Sequence, residues 1–265
     1  MRILIKLGGT LLDTAELRQS LAGQIAAQAR HGVEITVVHG GGKRMTRFLA
    51  ERGIESRFVN GLRVTTPEIL DAALNVLAGS VNQELVASLI AVGARAVGLS
   101  GIDGNLVEAQ QLNAELGLVG RVVRANPELL GVLVGNGFVP VVACIAGDGR
   151  GQIYNINADQ MAAACACAWH ADRLIFLTDI AGVLDGAGRV QAVLTREQST
   201  GLIASGVATA GMQTKLNAAC AAMDEGVEQV SIVPGAAPYV LERVLRDEPL
   251  GTRIARTAER ATAHD

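Results

Sequence analysis

Aromatic residues are scarce in this 265-residue chain, which has one Trp, two Tyr and four Phe. A core built almost without rings must be aliphatic. With 49% hydrophobic residues and 31 glycines, that means Val, Ile, Leu and Ala between many tight turns, the composition of an α/β enzyme. Cysteine is sparse too. Cys144, Cys165, Cys167 and Cys220 include no CxxC pair and no disulfide-dense spacing, which fits reduced, buried thiols in a cytoplasm. Cys165 and Cys167 lie two apart on a helical run and point in different directions, so core packing is favoured there over a metal site. Neither sign of charge dominates. A formal net charge of -3 supplies no electrostatic reason to expect nucleic acid or an anionic membrane, and a small molecule is the expected partner. The apolar stretch at Met1–Ile5 ends at Gly8, too early for a signal peptide. The run from Leu129 to Ile145 is broken by Gly135, Asn136, Gly137 and Pro140, so it does not read as a transmembrane helix. A cytoplasmic protein with no membrane partner is expected.

Two nucleotide-binding signatures are also absent. No GxGxxG exists, which argues against a nicotinamide-dependent oxidoreductase. A Walker P-loop would need a glycine six residues before Lys43, where Val37 stands.

What is present is an alternation of short β-branched runs with helical patterns, the sign of βαβ units on a mainly parallel sheet. Ile3–Leu7, Ile35–His39, Leu174–Thr178 and Gln229–Val233 read as strands, with further candidates at Ala96–Leu99 and Val139–Cys144. From Pro67 to Ala91, Ile69, Leu70, Ala73, Leu74, Leu77, Val81, Leu85 and Leu89 recur at helical spacing, predicting one long helix with a kink near Gly79-Ser80. Gly104 to Val123 alternates as a hairpin over the sheet would. A change of role near Ala171-Asp172 divides the chain into an expected N-terminal lobe, 1–171, and a C-terminal lobe, 172–256. Residues 257–265 form a polar tail expected to fray.

Ligands of open parallel sheets bind at the carboxyl ends of strands, and three such ends are glycine-rich. Lys6-Leu7-Gly8-Gly9-Thr10 puts a cation beside a loop that can approach an anion closely, although an ordinary strand-to-helix turn reads the same way. His39-Gly40-Gly41-Gly42-Lys43 follows the second strand, and three consecutive glycines fit a site that needs bare amide donors. Leu177-Thr178-Asp179-Ile180-Ala181-Gly182-Val183-Leu184 is a third, weaker strand end. Gly211-Met212-Gln213-Thr214-Lys215 opens a helix with a lysine that opposes the helix dipole unless an anion sits nearby. Tyr154-Asn155-Ile156-Asn157-Ala158-Asp159-Gln160 precedes an alanine-rich helix, where Asn157 or Asp159 could simply cap it.

These residues together resemble the acetylglutamate kinases of the amino-acid kinase family, over nearly the whole chain from Ile5-Lys6-Leu7-Gly8-Gly9 to Gly251-Thr252-Arg253-Ile254. The most specific segments are Val38-His39-Gly40-Gly41-Gly42, Val59-Asn60-Gly61-Leu62-Arg63-Val64-Thr65, Gly117-Leu118-Val119-Gly120 with Asn126-Pro127-Glu128-Leu129-Leu130, and Asn155-Ile156-Asn157-Ala158-Asp159. The chain departs from the family pattern at Ala210 and Ile102. The resemblance implies a three-layer αβα sandwich with an open, mainly parallel central sheet. It also implies ATP-dependent phosphorylation of the side-chain carboxylate of N-acetyl-L-glutamate in arginine biosynthesis. Lys6 and Lys215 would flank the transferring phosphoryl group, with Asp159 holding both. Gly41, Gly42, Leu62, Arg63, Asn155 and Asn157 would bind the acylated amino acid, Arg63 by a bidentate clamp on a carboxylate. Gly8, Gly9, Thr178, Asp179, Ile180, Ala181, Gly182, Val183, Leu184, Gly211 and Met212 would line the nucleotide. Mg2+ would arrive with ATP, held chiefly by phosphates and water, with no protein ligand.

Within the same fold the alternatives are a kinase for N-succinylglutamate or for carrier-protein-linked aminoadipate or glutamate. From another class there is an inactive amino-acid sensor, against which retention of Lys6, Asp159 and Lys215 argues. Arginine-inhibited members of the resembled family carry an extra N-terminal helix that links dimers into hexamers, whereas here the first strand begins almost at Met1. The expectation is an arginine-insensitive homodimer, with the long apolar helix packed across a two-fold axis.

Overall fold

The computed structural model describes residues 1–256, so the tail expected at 257–265 lies outside the described residues. The chain opens with β1 (Arg2–Leu7), α1 (Ala15–Arg30), β2 (Glu34–His39) and α2 (Gly42–Ala50), then a hairpin of β3 (Phe58–Val59) and β4 (Leu62–Arg63). A continuous helical stretch follows as α3 (Pro67–Ala73), a π-helical segment Leu74–Val81 and α4 (Asn82–Ala91). Next come β5 (Ala96–Ser100), β6 (Val107–Gln111), β7 (Val119–Ala125), α5 (Glu128–Gly135), β8 (Val139–Ala143), β9 (Ile145–Gly147) and β10 (Ile153–Ile156). The last part comprises α6 (Ala158–Ala168), β11 (Arg173–Thr178), β12 (Val193–Thr195), α7 (Arg196–Ala204), α8 (Ala210–Asp224), β13 (Gln229–Pro234), α9 (Val240–Leu245) and β14 (Thr252–Ala255).

Eight strands form the central sheet in the order β12-β14-β13-β11-β1-β2-β8-β5, parallel throughout except for the β13–β14 pair. Strand alternation sends side chains to two cores. Leu4, Val38, Val142, Phe176 and Ile232 pack under α6 and α8, while Ile5, Val37, Val141, Ile175 and Val233 pack under α1 and α4. That is the expected αβα sandwich. Both expected lobes contribute to this one sheet, four strands each.

The Gly104–Val123 hairpin forms as β6 and β7, but it closes with β9 and β10 into a small barrel rather than lying on the sheet as a simple pair. The long helix forms as well. In place of a kink at Gly79-Ser80, its winding loosens over Leu74–Val81, where the Ser80 hydroxyl donates to the carbonyl of Asn75 five residues back, at 3.2 Å. Such π segments concentrate at functional sites. Pro67–Ala91 is long and apolar enough to cross a membrane, yet Ile69, Val76, Leu85 and Leu89 are buried in the second core.

Candidate active site

The chain leaves β1 for β2 on one side and returns to β11 on the other. The carboxyl ends of these three adjacent strands therefore flank the switch point where open α/β sheets bind ligands. All three expected glycine-containing ends meet here. Gly8 N–H donates to the Leu177 carbonyl (2.9 Å) and Gly40 N–H to that of Leu7 (3.0 Å), which ties the loops to their neighbouring strands. A Cβ on Gly9 would lie 2.8 Å from Gly41 N, so part of the glycine requirement is the close approach of two loops. Gly42 has open space where its Cβ would be and is the first residue of α2, whose leading N–H groups have no acceptor within the helix.

Period-two alternation puts Lys6 on the face of Leu4, beneath α6. Asn157 caps that helix, its Oδ1 accepting from the N–H groups of Asp159 (2.9 Å) and Gln160 (3.2 Å). The carboxylate of Asp159 is thereby aimed down at the sheet. It accepts from Lys6 Nζ at 2.9 Å and from Lys215 Nζ at 3.0 and 3.1 Å, Lys215 reaching across from α8. All three side chains are buried. Burial alone would push the Asp159 carboxyl up, but the two ammonium charges outweigh it and hold the group below the usual carboxylate range. Burial, with Lys6 adding to it, pulls Lys215 down to about 8. Two cations sharing one anion leave a buried excess of positive charge, which an arriving anion would relieve.

Arg63 is presented by the β3–β4 hairpin, whose turn is Asn60-Gly61 with both residues at positive φ (50° and 79°), the geometry of a two-residue type I′ turn. Its guanidinium is buried over the ring of Phe58, 4.6 Å from the centroid. It donates to the Ser56 hydroxyl, to Thr46 Oγ1 at 2.8 Å and to the Gly42 carbonyl at 3.0 Å. No carboxylate pairs with Arg63 among the described residues. Burial lowers its pKa, yet arginine stays charged, so a buried cation lies open to an acidic ligand. Asn155 donates to Thr65 Oγ1 at 3.2 Å, linking β10 to the Arg63 segment.

Lys6, Asp159, Arg63, Asn155 and Gly42 line one cavity of about 240 Å³, with Leu62 and Asn157 on its wall. A larger groove of about 690 Å³ runs between the β7 side and helices α6 and α8, but it holds none of the two lysines, Asp159 or Arg63. On the other side of Lys6, Thr178 is buried and Asp179, Ile180 and Ala181 are exposed at the end of β11. Gly182 is buried against Val190 and Thr252, and Leu184 is exposed. Val183 differs from its neighbours: its side chain is in the core, its N–H donates to Thr252 Oγ1 and its carbonyl accepts from Gln191. Gly211 and Met212 lie in the first turn of α8, and Met212 packs partly on the core. Sequence reasoning missed Ser56, Thr46 and Phe58 as supports of Arg63. The Asn-Gly pair at 60–61 was the available signal for that hairpin. The cysteines are free, Cys144 and Cys165 buried and Cys167 and Cys220 only half-buried, with burial pushing the first three up to about 12.

A αβα sandwich with two lysines on one carboxylate at its switch point defines a class. The amino acid kinase family model matches residues 1–234, and the chain belongs to that family. Within the family, acetylglutamate kinase of Solibacter usitatus is 63% identical over 254 residues, covering 96% of this chain and 99% of the relative. Acetylglutamate kinase of Koribacter versatilis is 42% identical over 261 residues, covering 97% and 100%. N-acetylglutamate synthase from Neisseria gonorrhoeae, solved with coenzyme A and N-acetyl-glutamate, superposes with a TM-score of 0.86 at 24% identity. It covers 97% of this chain but only 60% of its own length, a likeness of fold alone.

Proposed function

We propose that this protein transfers the γ-phosphoryl group of ATP to the side-chain carboxylate of N-acetyl-L-glutamate, giving N-acetyl-L-glutamyl 5-phosphate for arginine biosynthesis. The observation that carries this reading is Arg63, buried without a protein carboxylate, on the cavity that also holds Lys6 and Asp159. The 63% identity to an acetylglutamate kinase supports it. An oxygen of the side-chain carboxylate attacks the γ-phosphorus. A new P–O bond forms as the bond to the β–γ bridging oxygen breaks, and ADP leaves with the electron pair. Lys6 and Lys215 neutralise charge on the moving phosphoryl oxygens, amides of the glycine loops donate to them, and Asp159 fixes both lysines. Arg63 holds the other carboxylate of the substrate by its fork, with Asn155 and Asn157 beside it. Magnesium would arrive with ATP as its counter-ion, held chiefly by the phosphates and water.

In this reading residues 1–171 bind the acylated amino acid and 172–256 bind the nucleotide. The loop after β11 and the start of α8 face ATP, Val183 serving that loop through packing. The protein works in the cytoplasm as a homodimer, two copies meeting through the Pro67–Ala91 helix. Replacing Arg63 with Lys removes the fork while keeping the charge. The Michaelis constant for N-acetylglutamate should then rise far more than that for ATP. Equal effects on both would contradict the assignment.

A further inference from the structure

The chemistry above leaves His39, at the carboxyl end of β2, without a task. It closes β2, is fully buried and immediately precedes the three glycines. Its Nδ1 lies 3.0 Å from the carbonyl oxygen of Gly40, and its Nε2 lies 3.1 Å from Nδ2 of Asn82. The same Nδ2 also donates to the Val141 carbonyl at 2.9 Å, so it is an amide N–H group and Nε2 must be the acceptor. The ring proton therefore sits on Nδ1 and is donated to Gly40. Burial pulls the imidazole down to about 4, in keeping with a neutral ring. A third contact fixes the backbone at this point, Cys144 Sγ donating to the His39 carbonyl at 3.0 Å.

Asn82 is itself 1% exposed and begins α4 where the π segment ends. It is wedged against β5: a Cβ on Gly98 would lie 2.1 Å from its Oδ1. One turn earlier, Leu77 and Val81 cover Gly41, where a Cβ would lie 2.5 Å and 3.4 Å from them. The helix thus grips the glycine loop at two points, on Gly41 directly and on Gly40 through His39. A peptide group is planar and trans, so holding the Gly40 carbonyl by Nδ1–H sends the Gly41 N–H the opposite way. Gly41 N abuts Gly9, whose Cβ would lie 2.8 Å from it, and both glycines line the cavity.

We propose that Asn82 is a positioning residue for phosphoryl transfer: by keeping His39 in its Nδ1–H tautomer, it fixes the Gly40–Gly41 peptide so that the Gly41 amide faces the site. The role of that amide rests on the function proposed above, whereas the tautomer does not. Substituting Asn82→Leu preserves approximate volume and removes the donor. His39→Asn keeps a donor in reach of Gly40 without needing Asn82, and His39→Leu removes it. The test combines ¹⁵N NMR of the His39 ring and the Gly41 amide with steady-state kinetics and a thermal melt.

In the unsubstituted protein we expect a neutral ring protonated on Nδ1. Asn82→Leu should shift the Gly41 amide signal and lower kcat about 10²-fold, with KM for ATP and N-acetylglutamate changed by no more than about threefold. His39→Asn should retain most turnover and make Asn82→Leu nearly silent in the double variant. If Asn82→Leu fails to fold, the contrast between His39→Asn, active, and His39→Leu, about 10²-fold slower, still decides. A ring protonated on Nε2, an unmoved Gly41 signal, or equal losses in both His39 variants would overturn the proposal. Absence of turnover in the unsubstituted protein would refute the kinase reading, and the NMR arm would still judge the relay.

Discussion

At the scale of single residues, the Lys6–Asp159–Lys215 cluster makes stability and activity run in opposite directions with pH. Lys215 sits at about 8 in the folded chain against an ordinary 10.5, because burial disfavours its charge. Between those two values the unfolded chain binds more protons than the folded one, so stability contributed by this group rises with pH. Its charge is lost over the same interval. The free enzyme should therefore show an alkaline limb in kcat/KM near pH 8 while its resistance to urea grows. Asp159 behaves conventionally: its folded pKa is depressed, so its contribution is present at neutral pH and lost on acidification below the usual carboxylate range. Lys215→Ala should cut turnover about 10²–10³-fold and abolish the rise in stability with pH. A pH–rate profile paired with urea melts across pH 7–10.5 checks both, and parallel trends would count against a buried charged Lys215.

At the scale of elements, glycines that look alike in the sequence do different work. Gly9 abuts backbone, its Cβ position 2.8 Å from Gly41 N and 2.9 Å from Gly41 Cα, so Gly9→Ala must push the two glycine loops apart. Gly79 lies inside the π segment, and a Cβ there meets only the Leu74 carbonyl at 3.6 Å, ordinary contact. Gly79→Ala should stabilise the protein by about 0.5–1 kcal/mol through helix propensity with little effect on turnover, whereas Gly9→Ala should lose activity. Urea titration and initial rates on the two variants separate these outcomes.

The same contrast explains what was legible beforehand. The four central strands were readable as short apolar runs, two of them running directly into glycine, whereas the roles given to Lys6, Asp159 and Lys215 came from the family resemblance, because alone each also fits an ordinary turn, cap or helix start. The π winding of Leu74–Val81 was not, since its apolar spacing matches an α-helix. The small barrel was hidden because its closing strands β9 and β10 are three and four residues long. The His39–Asn82 contact joins residues 43 apart, with no local pattern to announce it.

At the scale of the whole molecule, β5 ends the sheet with one side unpaired among the described residues, and the neighbouring α4 leaves Ile90 56% exposed. An edge strand beside an apolar helix is a surface that soluble proteins usually cover, and a second copy packed about a two-fold axis would cover it. Light scattering coupled to size exclusion should give twice the chain mass, and Ile90→Glu should shift the species toward monomer. A monodisperse monomer before substitution would refute the homodimer.

The central claim is that the cavity between Lys6 and Arg63 accepts an acylated acidic amino acid and phosphorylates its side-chain carboxylate. It is tested most directly by measuring ADP release with N-acetylglutamate, N-succinylglutamate, glutamate and aspartate side by side, trapping the acyl phosphate with hydroxylamine. We expect N-acetylglutamate to give by far the highest kcat/KM, with one hydroxamate formed per ADP. Hydroxamate from free glutamate or aspartate but not from N-acetylglutamate would contradict the claim.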